Sequence, residues 1–124
     1  MCSSSLFPEP AAPALLQHVE PLLLKYKVDV ALWGHHHSYQ RSCPMLAQGK
    51  CVSYGKGGIV HAVIGAAGYE FSPIAAEADK PGWLRFASNT TYGYSRMTAN
   101  ATTLDFVFLR TDTKAIIDGF VLWN

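Results

Sequence analysis

The residues Val28-Asp29-Val30-Ala31-Leu32-Trp33 end at Gly34 and run directly into His35-His36-His37, and this junction constrains the fold more than any other stretch. Short, β-branched and apolar, the segment reads as a strand that is largely buried. Upstream, residues 14–27 place Leu15, Leu16, Val19, Leu22, Leu23 and Tyr26 on one helical face. Pro21 lies inside that pattern, so the helix is expected to kink there or to restart with Pro21 near its first turn. A helix, a buried strand and a Gly-led loop form a piece of α/β architecture, in which ligands sit at the carboxyl ends of strands.

From Ser38 to Gly58 the chain reads as loop, with Pro44, Gly49, Gly55, Gly57 and Gly58 as breakers. Ile59 to Ile64 returns to strand character before Gly65-Ala66-Ala67-Gly68. That glycine-rich run lacks the Lys-[Ser/Thr] ending of a phosphate loop and reads as a turn. Residues 69–90 look irregular, with Trp83 and Phe86 as packing anchors. Tyr92 to Thr98, Thr103 to Leu109 and Ala115 to Leu122 then read as strands. Asn100 and Thr111-Asp112-Thr113-Lys114 supply turns between them, giving an antiparallel meander.

A chain of 124 residues has room for one domain, spanning 1–124, around one core. Only 15% of residues are charged and the formal net charge is +1, with no basic run, so nucleic acid is not an expected partner. Lys25, Lys27 and Asp29 interrupt the apolar stretches, and no membrane span is expected. Met1 to Pro8 shows neither the basic start nor the apolar centre of a secretory leader. Cys43 and Cys51 enclose a short loop with Pro44 and Gly49, suited to a disulfide in an oxidising compartment or to two ordinary thiols otherwise. Asn89-Thr90-Thr91 and Asn100-Ala101-Thr102 match the acceptor pattern for N-glycosylation and lean towards a secreted ancestry. The leader and the sequons point in opposite directions, so localisation stays open.

The chemistry concentrates in the histidine run. In extended backbone His35 and His37 share a face and can aim into one pocket. Neutral imidazole is the commonest transition-metal ligand, and Gly34 would let the backbone approach closely. The competing reading is a polar surface loop with adventitious metal affinity. Tyr39 and Arg41 flank the run and read either as substrate contacts or as a loop anchor and a surface cation. His18 reads as a surface residue, His61 as strand packing, and Trp33, Trp83 and Trp123 as core or edge residues.

The run from Val28 through Gly34-His35-His36-His37-Ser38-Tyr39-Gln40-Arg41 to Pro44 resembles the final metal-binding motif of the purple acid phosphatases, a G-H-x-H loop followed by an aromatic and "ER" or "QR". Met1-Cys2-Ser3-Ser4-Ser5 is similar to the stretch after that family's substrate-binding histidine. Val60-His61-Ala62-Val63-Ile64-Gly65-Ala66-Ala67-Gly68, Tyr92-Gly93-Tyr94-Ser95-Arg96 and Asp118-Gly119-Phe120 resemble its later strands, in order. The resemblance implies an α/β (α+β) fold holding part of a metallophosphoesterase sandwich, and hydrolysis of phosphate monoesters. It implies iron plus a second divalent metal (zinc, manganese or iron), with His35 and His37 as ligands to different metals. His36 takes the variable position and is expected beside the ligands or facing solvent. In such a centre two metals about 3.5–4 Å apart clamp the phosphate and activate a hydroxide.

The family's remaining ligand motifs, G-D-x-G, G-D-x-x-Y and G-N-H, do not occur here. Two imidazoles leave most positions of a dinuclear site unfilled, because transition ions usually take four or more donors. The expectation is therefore a phosphoesterase-family polypeptide inactive alone, its partner the missing half of the domain or a full-length relative. The alternatives are a truncated product acting as an interaction or regulatory module, and a small autonomous metal-binding protein. Strand edges left unpaired predict poor solubility without a partner.

Overall fold

The computed structural model describes residues 12–123, so Cys2 and the Met1–Pro8 segment lie outside the described residues. Helix α1 spans Ala12–His18 and α2 spans Glu20–Lys25. The break falls where the proline demands it, with Pro21 in the first turn of α2. That position needs no amide donor, so Pro restarts the helix without breaking a bond. Neither helix is long and apolar enough to cross a membrane.

Strands β1 (Val30–Trp33), β2 (Tyr39–Met45), β3 (Ile59–Ile64) and β4 (Leu84–Ser88) form one sheet in the order β1-β3-β2-β4. Strand β1 runs parallel to β3, whereas β2 is antiparallel to both β3 and β4. Strands β5 (Gly93–Ala99), β6 (Thr103–Arg110) and β7 (Ile116–Trp123) form the expected antiparallel meander. The sequence expectations shift by about a residue at these boundaries. Mixed α+β architecture with a sheet-on-sheet core follows.

Three expectations need correction. Ser38 to Gly58 is not loop throughout, because Tyr39–Met45 is a strand near the centre of the sheet. Its polar residues hid it, and its Pro44 is tolerated at a register shift between Arg41 and Pro44. Residues 69–90 are likewise not wholly irregular, since Leu84–Ser88 pairs with β2. Strand β1 is not largely buried either: only Ala31 is, and Leu32 is 37% exposed. It is an edge strand, with no neighbour beyond it among the described residues.

The sheets meet through Tyr39, Val60, Ala62, Ala66, Phe106, Phe108 and Phe120. Inward positions alternate along β6, so Phe106 and Phe108 face the four-stranded sheet together. Tyr39 stacks on Phe108 with ring centroids 4.0 Å apart and tilts against Phe86 at 5.7 Å. Trp83 packs instead against Cys43 and Met45 in a second cluster.

Candidate functional site

The histidine loop leaves the carboxyl end of β1 and returns as β2, so its ends are held by β3, which pairs with both strands. Burial alternates along it: His35 is exposed, His36 is buried and His37 is half-buried. The run is bent rather than extended, the Ser38 N–H donating to the His36 carbonyl at 2.8 Å, so the expected extended backbone is not what sets this burial. His36 Nδ1 meets Ser38 Oγ at 2.8 Å, and Gln40 Nε2 donates to the same hydroxyl at 2.8 Å. Of the two places expected for His36, beside the ligands or facing solvent, the second is excluded, because the residue is buried and hydrogen-bonded.

His37 is fixed from a different direction. Its backbone N–H donates to Ser72 Oγ at 3.0 Å, and its carbonyl accepts from the Ser72 N–H at 3.0 Å. The exposed Tyr69 ring stands edge-on to the imidazole at 5.2 Å. Asn89 Nδ2 donates to the Ser72 carbonyl at 3.1 Å, linking the end of β4 to the clasp.

Close approach is required at a glycine other than the one expected. A Cβ on Gly34 would meet nothing within 4 Å. A Cβ on Gly65 would lie 2.1 Å from the His36 carbonyl oxygen and 2.8 Å from that of Gly34. The Gly65 N–H donates to the Ser38 carbonyl at 3.1 Å, so the turn after β3 presses against the histidine loop and shapes it.

Tyr39 and Arg41 serve the sheet interface. The Tyr39 hydroxyl donates to Asp118 Oδ2 at 2.7 Å. Arg41 grips the same carboxylate with Nε at 2.6 Å and a terminal nitrogen at 2.8 Å, a bidentate pair. Burial first, and then the Asp118 bond, push the Tyr39 phenol above its ordinary range. The Asp118 bond holds Arg41 firmly protonated against the cost of its burial. Asp118 is the residue sequence reasoning missed, having been noted only as part of a strand motif.

His61 is buried, and Trp33 Nε1 donates to its Nδ1 at 3.1 Å with the rings stacked. Burial pushes this imidazole down to about 4, so it stays neutral. Cys43 and Cys51 form a disulfide with Cα atoms 5.7 Å apart. His18 is exposed on α1.

Among the described residues no group of three or more His, Cys, Asp or Glu side chains could hold a metal ion. His35 and His37 have the right donor chemistry but are too few, so the described residues do not make a metal site by themselves.

A family model for "iron/zinc purple acid phosphatase-like protein C" matches residues 58–119, half of the chain. The chain belongs to the purple acid phosphatase family. It is 34% identical to a probable inactive purple acid phosphatase 27 of Arabidopsis thaliana, over 95% of this chain and 20% of that protein. It is 32% identical to a nucleotide pyrophosphatase/phosphodiesterase of Hordeum vulgare, over 94% of this chain and 32% of that protein. A purple acid phosphatase isolated from yellow lupin (Lupinus luteus) seeds superposes with a TM-score of 0.75 at 26% identity, covering 85% of this chain and 19% of that one. The chain thus corresponds to a carboxyl-terminal portion of purple acid phosphatases and spans about a fifth of the length of the first of these relatives. The family match begins after the histidine loop, whereas the alignment to the Arabidopsis relative covers nearly all of the chain.

Proposed function

We propose that this chain is the carboxyl-terminal part of a phosphoric monoester hydrolase and supplies His35 and His37 to a dinuclear metal centre. That centre would hold iron and a second divalent metal, completed by ligands from outside the described residues. Alone, the chain does not hydrolyse phosphate esters. The observation that supports this reading is the loop itself: His35 is exposed and His37 half-buried on either side of buried His36, whose carbonyl Gly65 closely approaches. Too few donors for a metal site among the described residues supports the second half of the proposal.

The alternative, a non-catalytic interaction module, draws on the helices, where Leu16, Leu22 and Tyr26 are exposed. It also draws on the Arabidopsis relative, whose name describes it as probable inactive. The test is hydrolysis of an aryl phosphate at acidic pH with added iron and zinc, against a His35→Ala, His37→Ala double variant. The expected result is no turnover above the double variant, with weak zinc uptake by the wild type that the variant loses. Turnover present in the wild type and lost in the variant would overturn the inactive reading. Equal zinc uptake by both would remove the ligand assignment.

A further inference from the structure

The bond from the Ser38 N–H to the His36 carbonyl closes a three-residue turn with His37 at its apex. Such a turn uses groups of its two flanking residues and leaves the apex residue's own N–H and carbonyl pointing elsewhere. Ser72 takes both. Its hydroxyl oxygen accepts from the His37 N–H at 3.0 Å, and its own N–H donates to the His37 carbonyl at 3.0 Å. These two groups belong to the peptide planes on either side of the His37 Cα. With both planes held, the two soft backbone angles between them are set, and so is the direction in which the imidazole leaves the chain.

Ser72 is itself held. Asn89 Nδ2 donates to its carbonyl at 3.1 Å from just past the end of β4. Its neighbour Phe71 stacks on Tyr92 with ring centroids 4.4 Å apart. The Gly93 N–H at the start of β5 donates to the Ala66 carbonyl at 2.9 Å, and the Gly65 N–H donates to the Ser38 carbonyl at 3.1 Å. Segment 65–72 is therefore braced against the ends of β4 and β5 while its last residue grips the apex histidine. The side chains that do this, Ser72 and Asn89, touch the backbone and leave the imidazole of His37 unobstructed by any bond of their own.

We propose that Ser72, backed by Asn89, is a positioning residue that sets the direction of the His37 imidazole for metal ligation. The proposal rests on the ligand role already proposed for His37. Partners that orient a ligand without touching the ion typically carry about 10–100-fold in metal affinity. Because Ser72 acts through a hydroxyl oxygen and its backbone, threonine can replace it and alanine cannot.

The test is equilibrium dialysis of the full chain against zinc, counting only the uptake that the His35→Ala, His37→Ala double variant loses, with thermal midpoints measured alongside. Expected is uptake about tenfold weaker in Ser72→Ala and within about twofold of wild type in Ser72→Thr. Asn89→Asp, which removes the donor and sets a carboxylate oxygen against the Ser72 carbonyl, should weaken uptake by a smaller factor. A lower midpoint in Ser72→Ala with unchanged zinc affinity would mark a purely structural tie and overturn the proposal. So would a Ser72→Thr variant as weak as Ser72→Ala. Both outcomes leave His37 a ligand, whereas wild-type uptake no greater than that of the double variant removes the ligand role and this proposal with it. Should Ser72→Ala fail to fold, Asn89→Asp decides: weaker uptake in a folded chain supports the positioning role, and wild-type uptake rejects it.

Discussion

The interface between the two sheets and the helical side of the molecule use the same kinds of residue to opposite ends. At the interface Tyr39, Phe106 and Phe108 are fully buried, and the polar atoms that come with them meet at Asp118. Along α2 no residue is buried; Leu22 is 51% exposed, and Tyr26, just past its end, 70%. Both regions show clear apolar periodicity in sequence. Periodicity says which residues seek cover, and only the three-dimensional neighbours decide whether they get it. The sandwich therefore carries the stability of the described residues, and the helices contribute little by packing.

The comparison can be broken most sharply at Asp118. Replacing it with Ala strands a half-buried guanidinium and a buried phenol, an expected loss of about 3 kcal/mol, read as a lower urea midpoint. A loss under about 1 kcal/mol would show that the interface does not dominate.

Acidification probes the four-stranded sheet, at His61 of β3. His61 titrates near its ordinary value of about 6.5 when unfolded and at about 4 when folded, so the unfolded chain binds its proton first. Stability from this residue is complete above pH 6.5 and falls as the pH drops to 4, by up to about 3 kcal/mol. His61→Gln should flatten that part of a stability-against-pH curve.

Reducing the Cys43–Cys51 disulfide releases a loop of sequence separation 8, with an expected cost of about 2–3 kcal/mol in thermal unfolding with and without reductant. The smallest effect belongs to the helices. Leu22→Ala should change the unfolding free energy by no more than about 0.5 kcal/mol, because an exposed side chain loses little burial. A loss above 2 kcal/mol would mean that this face is covered and would erase the contrast.

The meander was legible because Asn100 and the Thr111–Lys114 cluster mark the turns between strand-like runs. The helix restart was legible because Pro21 permits few arrangements. Strand β2 was not legible. Tyr39-Gln40-Arg41-Ser42 is polar in sequence, and it is buried only because Ser38, the His61 amide and Asp118 satisfy those groups from elsewhere. The role of Gly65 was equally hidden, since a glycine shows its purpose only through the carbonyl that a Cβ would strike.

From the sequence alone came the family resemblance, the out-in-out potential of three consecutive histidines, and the shortage of metal donors. These are local facts about residue type and spacing, and no packing can add a carboxylate to a strand that lacks one. The tertiary structure decided that His36 is an anchor, that Tyr39 and Arg41 serve Asp118, and that Asn89 backs the Ser72 clasp on His37. Each of these depends on partners distant in the chain, and a polar side chain's role is set by which partner reaches it first.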